Sequence, residues 1–166
     1  MLADLCERVE GDLDAAQQLL RRALELQPTD PDALTALAAF TAAARNDLDA
    51  AHALYLRAVE QAPPVDAASA EALGALAVIE LQLARRPGAD TAARIASAEA
   101  RFAAAARLDP DNSELAANHG VFLAMVKGAV VPAVAELERA LALDPGRQDI
   151  LLSLAQHGPC HSGTLI

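Results

Sequence analysis

Apolar residues along the chain recur at spacings of three and four, and each such run closes at a proline. Leu26-Gln-Pro28, Gln61-Ala-Pro63, Leu108-Asp-Pro110 and Leu143-Asp-Pro145 end four of these runs. Pro28 and Pro63 are 35 residues apart, as are Pro110 and Pro145, whereas Pro63 and Pro110 are 47 apart. Five positions before each proline stands Ala23, Ala58, Ala105 or Ala140. Eight before it stands a large residue, Leu20, Tyr55, Phe102 or Leu137, and twelve before it Ala16, Ala51, Ala98 or Ala133. Steps of four and then three keep all three positions on one helical face. Small, large and small on that face let a neighbouring helix approach closely while one bulky side chain fills the gap.

The run preceding each of these frames repeats as well. Leu34, Leu37 and Ala38 correspond to Leu73, Leu76 and Ala77, and then to Ala116, His119 and Gly120. The small residue ending each triple marks where the two helices of a hairpin touch. Turn chemistry separates the runs. Asp30-Pro31 sets a capping carboxylate before a proline at the first helical position. Asp111-Asn-Ser-Glu114 reads as a capping box with Asp at the cap. Gly11-Asp12, Asn46-Asp47, Pro87-Gly88-Ala-Asp90 and Gly128 each break one helix before the next. The pattern predicts an all-α chain with helices over 2–9, 13–27, 31–45, 47–62, 68–86, 91–108, 112–127, 130–143 and 147–157. Residues 1–157 form one repeat domain of about four units and a terminal helix, and 158–166 are expected to be a disordered tail.

Composition narrows the function classes. Hydrophobic residues make up 54% of the 166, inflated by Ala, while Trp is absent and the aromatics are three Phe and one Tyr. The formal net charge of −10, with scattered basic residues, excludes the basic stripe of a nucleic-acid binder and disfavours an anionic membrane surface. The charge-free apolar runs, such as Ala33–Ala44, fall short of a membrane span. The N-terminus has no basic start followed by an apolar stretch, so no signal peptide is read there. Cys6 and Cys160 lie too far apart in sequence to suggest a disulfide framework. The expected compartment is intracellular and cytoplasmic.

The residues quoted above resemble the tetratricopeptide repeat family. Its 34-residue unit carries a large–Leu–Gly/Ala signature in the first helix, then Ala, an aromatic or Leu, and Ala in the second, and Pro at its end. The resemblance covers about 2–157 and implies a right-handed α-solenoid of antiparallel helix–turn–helix repeats. The chain departs from the family in three ways. Leu34, Leu73 and Ala116 replace the first-helix Trp, two units are one residue longer, and the third is extended. The resemblance implies a protein or peptide partner held in a groove lined by the first helices. Carried over position by position, the groove residues are Asp32, Thr35, Ala39 and Ala42, then Glu71, Gly74, Val78 and Leu81, then Glu114, Ala117, Val121 and Ala124. The set is small, apolar and mildly acidic. It lacks the Lys/Arg/Asn pattern with which some members clamp the C-terminal carboxylate of heat-shock chaperones, and Asn118 alone does not make a clamp. Such a groove suits an amphipathic helix or extended peptide bearing positive charge. The alternative is that these small residues only pack against neighbouring units.

No other motif carries chemistry. His157, Cys160 and His161 are metal-competent, but zinc needs a fourth ligand, so no metal, cofactor or catalytic site is assigned and the chain is not read as an enzyme. Glu7, Glu10, Asp12 and Asp14 read as solvated first-turn charges, and His119, in the place of a core Leu, as a hydrogen-bonded packing residue. No phosphate-binding glycine loop occurs. The ends look unfinished: Leu2-Ala3 aligns with Leu37-Ala38, and Leu151, Leu154 and Ala155 open a fifth unit stopped by Gly158-Pro159. Solenoids need polar capping repeats. The ends therefore imply a fragment of a longer array, which is the favoured reading, or self-association through the uncapped ends, or low stability. The leading function is a protein-interaction scaffold or adaptor. The alternatives are a structural or oligomerising segment of a larger repeat protein, and a regulatory array of an enzyme whose catalytic domain is elsewhere.

Overall fold

The computed structural model describes residues 2–61, 67–147 and 150, with side chains described for 13–61, 69–147 and 150. Within these residues the chain is all-α. The helices are α1 (Leu2–Leu26), α2 (Pro31–Arg45), α3 (Leu48–Gln61), α4 (Ala67–Ala84), α5 (Thr91–Leu108), α6 (Ser113–Met125) and α7 (Val130–Leu143). They pack pairwise: α2 against α3, α4 against α5, and α6 against α7. The expected fifth unit, the 158–166 tail and the His157, Cys160 and His161 group lie outside the described residues.

The turns follow from their residues. Asp30 Oδ1 accepts the backbone N–H groups of Asp32 (3.0 Å) and Ala33 (3.4 Å), and Pro31 takes the first helical position, where no N–H is needed. Asn46 turns the chain out of α2 in the left-handed region (φ 52°), and Asp47 Oδ1 then caps α3 through the N–H of Ala50. Asp90 caps α5 through Ala93, after Gly88 at φ 80°. The cap of α6 is Asn112, whose side chain accepts from Glu114 and Leu115, one residue later than the Asp111 that the capping-box pattern suggested. Asn and Asp cap equally well, so the residue whose backbone enters the helix extended decides.

One expectation is corrected. The chain does not turn at Gly11-Asp12: α1 runs unbroken for 25 residues where helices over 2–9 and 13–27 were expected. A turn here would break the backbone ladder, and the short segment before Gly11 has only a short face to bury in return. Gly inside a helix costs only roughly 0.5–1 kcal/mol, so continuing the ladder is cheaper. The first unit is therefore no hairpin, and its frame is open. Ala16 and Leu20 are half-buried, Ala23 is exposed, and the neighbouring Leu19 and Leu26 are 72% and 73% exposed.

In the other three units the frame is the core. Ala51, Tyr55 and Ala58, then Ala98, Phe102 and Ala105, then Ala133, Leu137 and Ala140 are all buried. Each second helix packs on the first helix of its own unit and on the next. Tyr55 sits with Leu34 of α2 and with Leu76 and Ile79 of α4, and Phe102 sits with Ala77 of α4 and Phe122 of α6. Leu137 packs with Ala116, Ala117 and Ile150, so the stack continues to the last described position. Gly120 lets α6 and α7 touch, because a Cβ there would lie 2.8 Å from Leu137 Cγ and 3.1 Å from the Ala133 carbonyl oxygen. Arg57 donates to the carbonyl of Pro28, and Arg139 to that of Pro110, so the same position in two units ties the second helix back to the turn that opens its hairpin.

Among the polar groups inside this stack are those of Glu80 and His119. Glu80 of α4 is 4% exposed. Its Oε1 accepts from Ser97 Oγ and Arg101 Nε of α5, both at 3.0 Å, and stands 3.5 Å from His52 Nε2 of α3. His119 lies near Phe102 and Phe122, with ring centroids 5.5 and 6.3 Å away. It is the packing residue expected, but its buried Nδ1 makes no hydrogen bond, with Glu136 Oε1 at 3.5 Å.

Candidate functional site

The first helices α2, α4 and α6 lie side by side, with α4 touching both neighbours. This follows from their sequences. Each carries small residues where helices meet, so backbones approach closely, and Gly74 is the extreme case: a Cβ there would lie 2.1 Å from Leu115 Cδ2 of α6. The second helices cover the back of this layer and leave its front open.

Three adjoining concavities run along that front. The first, of about 240 Å³, is lined by Asp32, Thr35, Ala36, Ala39 and Glu71. It shares Ala39 and Glu71 with the second, of about 350 Å³, which adds Tyr55, Gly74, Ala75, Asn112, Glu114, Leu115 and Asn118. Asn118 also borders the third, of about 170 Å³, where Val78, Leu81, Val121 and Met125 are among the lining residues. The trough passes from a carboxylate-rich end to an apolar end. Met125 is 60% exposed there, and the phenyl ring of Phe122 closes the floor.

The residues carried over from the family pattern divide accordingly. Asp32, Thr35, Ala39, Glu71, Gly74, Val78, Leu81, Glu114 and Val121 line these concavities. Ala42 instead packs against the core between α2, α3 and α4. Ala117 is buried against Leu137 and Ile150, and Ala124 lines none of the three. Of the residues that sequence reasoning did not place in the groove, Tyr55 matters most. It belongs to α3 and holds the large position of the buried frame, yet it also lines the middle concavity. The signal was present, since Tyr55 is the one polar residue among Leu20, Phe102 and Leu137 at that position.

The first two concavities carry only acidic charge, and the third brings the cation Arg85. Several carboxylates elsewhere are paired: Asp14 with Arg45, Asp49 with Arg86, Glu99 with Lys127, and Glu136 with Arg139. Asp32, Glu71 and Glu114 have no ion-pair partner among the described residues. Tyr55 registers the field of Glu71 and Glu114. Burial pushes its phenol up to about 12, with the charges of Glu71 and Glu114 adding to the shift.

Helical hairpins stacked in one direction, with first helices sharing an open concave face, define a helical-repeat solenoid. Residues 1–40 match the tetratricopeptide repeat family model. The fold is that of tetratricopeptide repeat proteins, all-α with helices packed pairwise as helix–turn–helix repeats. Among solved structures, it is similar to a thermophilic tetratricopeptide repeat protein of Thermus thermophilus, with 25% identity over 92% of this chain and 76% of that one, at a TM-score of 0.73. Pseudomonas aeruginosa PilF shares the fold, with 23% identity over 92% of this chain and 63% of that one, at a TM-score of 0.68. So does MamA, with 18% identity, 92% and 82% coverage and a TM-score of 0.64. No curated protein sequence matches the chain. Among the described residues, no helix is long and apolar enough to cross a membrane.

Proposed function

We propose that the chain is an interaction scaffold whose trough across α2, α4 and α6 holds an extended peptide or a partner helix. The observation that carries this reading is the continuity of the three concavities, joined through Ala39, Glu71 and Asn118. A polar end and an apolar end suit an amphipathic segment, whose apolar anchors meet Val78, Leu81 and Val121. The unpaired acids select positive charge at the other end. A second reading, a structural or oligomerising segment, is favoured by the open face of α1, where Leu19 and Leu26 are exposed.

The test is selection of binders from a displayed peptide library, followed by affinity measurement against Asp32→Ala, Glu71→Ala and Glu114→Ala. Exposed charge pairs contribute about 0.2–1 kcal/mol each, so the triple variant should bind about tenfold more weakly. Unchanged affinity in the triple variant would sink the trough as the binding surface.

A further inference from the structure

We infer that the middle concavity, over Tyr55, is a socket for the cationic side chain of a bound peptide, an arginine or a lysine. The inference rests on the trough being the peptide site, and it adds the chemistry of the anchor. Tyr55 is 4% exposed, and its hydroxyl makes no hydrogen bond among the described residues although it lines the cavity. A hydroxyl at the floor of a cavity, with no partner among the described residues, is free to meet a ligand there. Around it stand Glu71 and Glu114, neither paired with a cation, and the half-buried Asn118, whose side-chain amide is also without a hydrogen bond among the described residues. Asn112, at the edge, is already occupied: its oxygen caps α6 and its amide donates to Asp109.

Acceptors and negative charge predominate among the free groups: the carboxylates only accept, while the Asn118 amide and the Tyr55 hydroxyl both accept and donate. Two carboxylates, an amide oxygen and a phenol oxygen face a space of about 350 Å³. A guanidinium brings five N–H donors and no acceptor, and an ammonium brings three. An anion would meet two carboxylates, and an apolar group would leave the acceptors stripped of water. The methylene stem of a basic side chain would lie along Ala39 and Ala75, which line the same wall.

The chain holds one Tyr and no Trp, so its intrinsic fluorescence reports Tyr55 alone. The full chain is titrated at neutral pH and low salt with N-acetyl-arginine amide, N-acetyl-lysine amide, N-acetyl-citrulline amide and spermidine. In parallel, the Asn118 side-chain amide is followed by NMR. The expected result is a saturable response to the arginine and lysine compounds and at least tenfold weaker binding of citrulline, which has nearly the same shape without the charge. Glu71→Gln/Glu114→Gln should weaken the cationic probes severalfold while leaving the helical circular dichroism unchanged. Tyr55→Phe, read through Asn118, should weaken them severalfold. No saturable response, an equal response to citrulline, or an unaltered affinity in the double Gln variant would each overturn the socket. Spermidine binding more tightly than either amino-acid amide would assign the site to a free polyamine and overturn the peptide occupant. Library-selected peptides that tolerate citrulline at every basic position would overturn the socket and leave the trough standing. If no displayed peptide binds while N-acetyl-arginine amide still saturates, the trough reading fails and the cation site survives.

Discussion

Gly120→Ala sets two known effects against each other, and the packing of α6 on α7 decides between them. In an exposed helix the change would stabilise by roughly 1 kcal/mol through helix propensity. Here the added methyl would lie 2.8 Å from Leu137 Cγ, 3.1 Å from Leu137 Cδ2 and 3.1 Å from the Ala133 carbonyl oxygen. Two of these atoms cannot move aside. One is backbone of α7, and the other is the branch carbon of a side chain that is 0% exposed among Ala116, Ala117, Ala140 and Ile150. The helices must part by several tenths of an ångström, and their existing contacts then weaken along their length. Overpacking of this kind costs about 1–3 kcal/mol, so the expected net loss is about 1 kcal/mol. For a chain of this size, that is a fall in Tm of roughly 2–4 °C. Urea unfolding followed by circular dichroism measures it. A double-mutant cycle assigns the cause: in a Leu137→Ala background, much of the clash is gone, and Gly120→Ala should become neutral or stabilising. A Gly120→Ala protein more stable than the parent would refute the close contact of α6 and α7.

Two further outcomes are expected. Phe102→Ala should lose about 3–5 kcal/mol, because the ring is 1% exposed and is packed at 5.5 Å from both Phe122 and His119. An unfolding midpoint shifted no more than by a change at exposed Leu19 would contradict this. Tyrosinate absorbance should show Tyr55 titrating near pH 12 in the folded chain, against about 10 in urea. With the folded value raised, the linked stability is fully present below pH 10 and is lost as pH rises from 10 through 12. Glu71→Gln/Glu114→Gln should bring the folded midpoint down but not to 10, since burial is the larger cause. A folded midpoint at 10 would show that the phenol is solvated.

What could be read from the sequence divides along physical lines. The Ala–large–Ala frame of α3, α5 and α7 was legible because a period of three and four is local, and three buried positions in each helix obey it. Gly11-Asp12 misled for the opposite reason. Its residues suit a turn, but whether a turn forms depends on what the folded-back segment can bury, and no local pattern contains that. The alignment brought Asp32, Glu71 and Glu114 to one face because each holds the same place in its unit, whereas Ala42 and Ala117 were lost to the core. Tyr55 was legible as core but not as a cavity wall, because that role arises where α3 passes behind the gap between first helices. The contacts of Glu80 join three helices and leave no trace at any one spacing.

That last group bears on how the chain finds its fold. Three second helices with nearly interchangeable buried faces could each dock on the wrong first helix, and misassembly between neighbours is a characteristic failure of repeat chains. The contacts from Glu80 to Ser97, Arg101 and His52 can form in one pairing of α3, α4 and α5 and in no other. A mispaired α5 would strand a carboxylate in an apolar interior, a penalty of several kcal/mol. The buried charge thus acts as a proofreading step: it adds little to the finished stack but makes the wrong order of units costly to complete.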